Sequence, residues 1–388
     1  MAIRRLFGLL AVAVLLLTTV GCKPTLLVTP TLLHATAVHP SPTDALSPTA
    51  TQTAEPSPSP PAKAASPIGP DSYPPNVNPL TGLVVTDPSV LAHRPLLIKI
   101  SNAPPVVRPQ SGIGEADLIF EHYAEGGQTR FSALFYSQGV SHVGSVRSTR
   151  LIDLQLAPAY DAILVFSGGS LGVIDTLRQS KLYPYNAISP EFGYGPPYFV
   201  RFPRQGLAFE HTLFTDTAQL WQWTVDKKVR QQPKFSTPGM VFSQTPSPGS
   251  IPAQSASIAY IMTTASWRYD ALTGDYLRWT DGIPHTDALT GAQLAVQNVV
   301  VLSADHKEVD LFPEKYFGKE KSIYIELQGD GPMTLLRDGL AFGGQWHRKD
   351  ERDMLTFTDA SGRMLYLKPG KTFFQVIRTG FERLVLGP

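Results

Sequence analysis

An α/β domain (mixed sheet with helices) followed by a smaller, mainly antiparallel β domain is the fold class this chain predicts. Three features predict it. Compact apolar runs at 96–101, 117–124, 129–137 and 161–166 are separated by glycine turns and by stretches with helical spacing. From about residue 255, short alternating segments punctuated by glycines take over. The roughly 310 residues after position 76 suffice for two domains with separate cores.

Residues 1–21 read as a signal peptide. Arg4 and Arg5 precede an apolar run, Leu6–Val20, too short to span a bilayer comfortably. Cys22, the only cysteine, follows Thr19-Val20-Gly21 and reads as the lipid attachment site of a bacterial lipoprotein, carrying palmitate-type acyl chains. Residues 22–76 are rich in Pro, Ser, Thr and Ala with few large apolar side chains, and predict a disordered tether. These features place the chain outside the cytoplasm, with the membrane as partner through its anchor. Removing residues 1–21 removes two arginines and leaves 31 basic against 32 acidic residues, a net charge of −1. That balance excludes a general attraction to nucleic acid.

The first domain is expected over 77–232. LLIKIS (96–101) reads as a strand, and NAPPVVRPQ (102–110) as a rigid extended loop. Asp117–Ala124 and Thr129–Ser137 read as strands flanking an Glu125-Gly-Gly turn. Ser148 or Thr149 is the expected N-cap of a helix running to Ala157. Asp161–Phe166, Ser167-Gly168-Gly169-Ser170 and Leu171–Leu182 read as strand, turn and helix. Tyr183–Phe202 is expected to be an irregular aromatic loop covering a cleft or offering a stacking surface, and a further helix begins near Thr217. After a linker at 233–254, the second domain, 255–388, predicts a hairpin around Leu272-Thr-Gly274, strands at 298–303, 322–327, 354–358, 364–367 and 372–378, and a short helix near Leu289–Val296.

Glu121–Arg150 concentrates Glu121, Glu125, Arg130, Arg147 and Arg150 beside Phe131, Leu134 and Phe135. Buried charge of that density needs partners of its own or a ligand. Arg108, Glu121, Glu125, Arg130, Arg147, Ser148 and Arg150, with the backbone of Gly168, Gly169 and Ser170, are therefore the expected ligand site. Bidentate arginines suit carboxylate or phosphate. Gly168-Gly-Ser170-Leu-Gly172 also matches the G-x-S-x-G elbow of serine hydrolases, with Asp216, Asp281, His285 and His347 downstream. Glu121 and Glu125 are candidates for an acid/base pair, and His211 beside Glu210 for a single one. His285-x-Asp287 offers half a metal site without a third ligand at diagnostic spacing; no metal or cofactor is predicted.

NPLTGL, RPLLIKISN, VRPQSG, ADLIFEHYAEGGQTRF, GSVRSTR and YDAILVFSGGS, in this order, resemble the YerB-like lipoproteins, as do RWTDGIPHTD, GLAFGGQWHRKD and YLKPGKTFFQV further on. The resemblance implies an anchored envelope protein with N- and C-terminal domains of unknown function, and carries no catalytic residues. Three functions are consistent with these residues: an envelope module binding an anionic cell-wall polymer, a protein-interaction lipoprotein binding an envelope protein, and a hydrolase or transferase acting on wall glycan or peptide.

Overall fold

The computed structural model describes residues 66–311 and 321–388. Cys22 and the signal peptide lie outside them. One eleven-stranded sheet runs through both expected domains. Its strands are β1 (Leu96–Ser101), β2 (Leu118–Tyr123), β3 (Thr129–Phe135), β4 (Ile163–Val165), β5 (Ala187–Ile188), β6 (Ile251–Pro252), β7 (Asn298–Ala304), β8 (Gly329–Arg337), β9 (Leu340–Arg348), β10 (Thr356–Thr358) and β11 (Thr372–Arg378). The order is β10-β9-β8-β7-β11-β2-β3-β1-β4-β5, with β6 paired to β9. The N-terminal part is mixed: β3 runs antiparallel to β1 and β2, while β4 runs parallel to β1. The C-terminal strands pair mainly antiparallel, with β7 and β11 the parallel exception.

Alternating side chains send the two faces of this sheet into two cores. Leu97, Phe120, Leu134, Val300, Leu302 and Phe374 point to one face, where Leu156 of α1 (Asp153–Ala159) and Leu177 of α2 (Leu171–Gln179) cover them. Ile98, Ile119, Phe131, Val299 and Phe373 point to the other. There they meet Trp223 of α3 (Thr217–Asp226) and Trp267 and Tyr276 of a second, six-stranded sheet. Each core mixes residues from before 232 and after 255, so the expected separate cores are not what forms. The reason is the parallel pairing of Leu118–Glu121 with Thr372–Gln375, which inserts the late strand β11 beside β2. Phe120 and Phe374 stack across that seam at 4.2 Å and 7°, a contact worth about 0.5–1.5 kcal/mol beyond its burial.

Other expectations are corrected. The tether gives way to ordered chain before residue 76, because Ile68 bridges Phe242 through both backbone hydrogen bonds. Linker residues 240–242 are buried for the same reason. Residues 183–202 are partly regular: Ala187–Ile188 joins the main sheet, and Phe199–Arg201 joins a three-stranded one. No helix forms at 289–296, where a turn leads into the strand Ala295–Val296. The longest hairpin, β8–β9, runs through glycines that read as turns. At Gly344 a Cβ would lie 2.1 Å from the Thr358 carbonyl, so glycine there permits the close approach of β10.

A buried ion pair pins the second sheet to the seam. Glu121 and Arg278 are both fully buried and meet at 2.7 Å. Asn102 and Thr129 donate to the other carboxylate oxygen at 3.0 and 2.8 Å. The guanidinium packs over Phe131, Trp267 and Phe373. Removing one partner strands the other charge. Glu121→Gln is expected to cost about 3–5 kcal/mol in urea unfolding, and Glu121→Gln with Arg278→Met to recover much of it.

Candidate functional site

The site grows from the polar end of the helix-covered face. Lys99 on β1 lies directly opposite Ser132 on β3, and His122 projects to the same face from β2. Asp153, the first residue of α1, closes over them. Lys99 Nζ donates to Ser132 Oγ at 2.8 Å, to Asp153 Oδ1 at 3.0 Å and to His122 Nε2 at 2.6 Å. His122 Nδ1 lies 2.8 Å from the Tyr123 carbonyl and must donate there, so the ring is neutral with Nε2 as acceptor. Ser132 Oγ donates to Asp153 at 2.5 Å. Burial holds His122 well below its ordinary pKa and presses Lys99 down to about 8 against the pull of Asp153. For Asp153 burial alone would raise the pKa, but Lys99 and the hydrogen bonds from Ser132 and Lys99 hold it below the usual carboxylate range.

Three arginines sit on this platform. Arg130, two residues from Ser132 along β3, is buried and donates through Nη1 to the Ser148 carbonyl at 3.2 Å. Arg150 donates to the same carbonyl at 3.3 Å, and its Nε pairs with Glu125. Arg147 donates to the Glu210 carbonyl at 3.0 Å, while its Nε is buried without a partner. His211 beside it is buried, and its Nδ1 is likewise unpartnered. Of the nearby carboxylates, Glu125 is committed to Arg150 and Asp153 to Lys99, while the exposed Glu210 attracts Arg147 without pairing with it. Among the described residues no ion pair within 4.0 Å includes Arg130 or Arg147. Burial, then Arg150 and Arg147, disfavour the charged form of Arg130. Burial first, then Arg147, also lowers the pKa of His211.

The turn Ser167–Ser170 borders the arginines, since Ser167 N donates to the Arg147 carbonyl and Thr149 N to the Gly168 carbonyl. Gly168 takes φ +77°, which only glycine adopts freely. The cluster therefore lies beyond the carboxyl ends of the parallel strands β1 and β4, where open α/β sheets bind ligands.

Residues 80–231 match a family model described as "Protein of unknown function (DUF3048) N-terminal domain", and residues 256–374 match its C-terminal counterpart. The chain belongs to the DUF3048 family. It is 28% identical over 309 residues to "Putative lipoprotein YerB" of Bacillus subtilis (strain 168), covering 77% of this chain and 85% of that one. The crystal structure of YerB from Bacillus subtilis shares the fold, with a TM-score of 0.65 at 24% identity over 80% of this chain and 99% of that one. Among the described residues no helix is long and apolar enough to cross a membrane.

Of the residues expected to form a ligand site, the structure gathers Glu125, Arg130, Arg147, Ser148 and Arg150 around the glycine turn. Two do not belong. Glu121 points to the opposite face, into its pair with Arg278, so it shares no cleft with Glu125 and the acid/base pair falls away. Arg108 is drawn off by Asp281 at 2.5 Å and Thr263 at 3.3 Å. Arg147 and Arg150 are not in the first turn of a helix, because α1 starts only at Asp153, whose carboxylate takes Arg150 N and Thr149 Oγ1 and closes the turn. Ser148 and Thr149 are therefore not its N-cap.

Ser170 is no nucleophile elbow. It is exposed and caps α2, accepting from Val173 N at 3.4 Å. The residues that would complete a triad are engaged elsewhere. Asp216 caps α3, Asp281 binds Arg108, His285 binds Gln110 and Thr280, and His347 binds Thr358. Asp287 caps the backbone of Gly112 and Gly114, so His285-x-Asp287 is a turn network. Among the described residues no group of three His, Cys, Asp or Glu could hold a metal ion. Lys99, His122 and Ser132 were missed, although a lysine inside the apolar LLIKIS and a histidine inside LIFEHY are signals of buried polar pairing.

Asp153 has a lowered native pKa, so the stability it contributes is present above its unfolded value, near 4, and is lost as pH falls through the lower native value. Lys99→Met removes the cation that lowers it. We expect this variant to lose about 3–5 kcal/mol at pH 7 and to lose less further stability than wild type between pH 5 and 3, read from urea midpoints. Ser170→Ala should cost only about 1 kcal/mol, the loss of a helix cap, by the same measurement.

Proposed function

We propose that this DUF3048 protein is a membrane-anchored extracytoplasmic lipoprotein whose Arg130–Arg147–Arg150 cluster binds an anionic group of an envelope polymer. One observation carries the reading. Arg130 is buried and crowded by two further guanidiniums, and no carboxylate pairs with it among the described residues. Such an arrangement is unfavourable until an anion neutralises it. The unpartnered Arg147 Nε supplies a further donor facing the same need. Cys22 and the length of Pro/Ser/Thr-rich chain after it support an anchored module, since attachment to the membrane raises effective concentration near a wall-bound ligand. The relative named a lipoprotein is consistent with that placement.

The protein-interaction reading has one feature of its own. The terminal strand Leu384–Gly387 is a sheet edge, and Val385 and Phe381 beside it are exposed. An edge strand can pair with another chain. It does not account for Arg130, so the anion site is preferred. The hydrolase and transferase reading keeps no pair of its candidate residues together.

Thermal unfolding with sulfate, phosphate and carboxylates tests the proposal. An anion at a hundred times its Kd should add about 2.7 kcal/mol to the folded state. Arg130→Gln should abolish that gain while leaving the anion-free protein as stable or more stable, since it relieves the crowding. An Arg130→Gln protein that is markedly less stable without anion, with no anion response in wild type, would make the cluster architecture instead.

A further inference from the structure

We infer that the anion bound at the arginine cluster is carried on a sugar ring, and that the ring occupies the adjoining aromatic cleft. This deepens the arginine reading and rests on it. A cleft of about 270 Å³ opens between His142, Ser145, Phe202, Arg204, His211 and Phe214. That is small for a drug-sized ligand and suits a single ring. Its floor is aromatic: the His142 ring stacks on Phe214 at 4.2 Å and 10°, and Phe202 meets His142 edge-on at 4.8 Å. Phe202 is nonetheless 49% exposed, which leaves an apolar surface free. Polar groups of Ser145, Arg204 and His211 sit around it, so the lining matches a ring with apolar C–H faces and hydroxyl edges.

Two observations join the cleft to the cluster. Ser145 lines the cleft, and Arg147 lies two residues further along the same extended stretch, which is held by the Val146 bridge to Ile100 and its bond to the Leu213 carbonyl. Residues two apart on extended chain share a side and lie about 7 Å apart, the reach of one sugar and its acidic substituent. His211 belongs to both. It lines the cleft, and Arg147 and Arg130 both act on its charge. Its buried Nδ1 and the buried Nε of Arg147 lack partners together. An inorganic anion would leave the cleft unused, and a purely apolar ligand would leave both nitrogens unsatisfied. An anionic pyranose meets both needs.

Calorimetric titration of the Ala62–Pro388 unit, which forms one compact fold containing both cores, distinguishes the cases. The probes are glucuronate and glucose 6-phosphate, against glucose, acetate and inorganic phosphate. We expect one of the two charged sugars to bind at least tenfold tighter than its matching simple anion and than glucose. Phe202→Ala should remove that advantage, about tenfold, without changing affinity for the simple anion. Arg130→Gln should remove both. Simple anions binding as tightly as charged sugars, or a charged-sugar advantage untouched by Phe202→Ala, would overturn the sugar assignment and leave the arginine site standing. No binding of any anion would overturn both.

Discussion

The parallel pairing of Leu118–Glu121 with Thr372–Gln375 is the constraint on which the rest of the structure depends. It turns two sequence regions into one sheet and so decides which side chains become core. Its energetic risk is Glu121, a carboxylate buried at the seam and acceptable only because Arg278 arrives from the second sheet. That pair joins β2 to the second sheet, with Asn102 and Thr129 completing the carboxylate, and beside it Tyr260 donates to Gln375 at 2.8 Å. Burying an ion pair seldom adds net stability, but it strongly penalises any arrangement that separates the partners.

The same accounting of charge explains the site. Lys99, Asp153, His122 and Ser132 form a closed network in which every strong donor finds an acceptor. It engages Asp153, one of the two carboxylates that attract Arg130. Above it, Arg150 takes Glu125, and the backbone carbonyl of Ser148 serves two guanidiniums. The surplus of cationic groups is thus a product of the fold, and it sits beyond the strand ends.

Much of this was legible in the sequence, for local reasons. The strands at 96–101, 118–123, 129–135, 298–304 and 372–378 are largely apolar, as strands buried on both faces are, and their few polar residues mark the buried pairs. The grouping of Arg130, Arg147 and Arg150 was visible because they lie within one short stretch. What depended on distant partners was not visible. Glu121 and Arg278 are 157 residues apart, and nothing near either identifies the other. The β8–β9 hairpin was hidden because Gly343 and Gly344 lie within a strand, where β10 passes too close to Gly344 for a side chain. The separate cores failed for the same reason as the ion pair: strand pairing between remote segments leaves no mark in periodicity.

The sequence separation between β2 and its partner β11 bears on how the protein folds. The β11 strand, Thr372–Arg378, occupies the middle of the sheet, flanked by β2 and β7, yet β2 itself begins at Leu118. β2 keeps this edge open until β11, about 250 residues further along the chain, pairs with it. Contacts of such long sequence separation slow folding and prolong exposure of apolar edges. Any chain truncated before β11 therefore leaves β2 without its partner on that side.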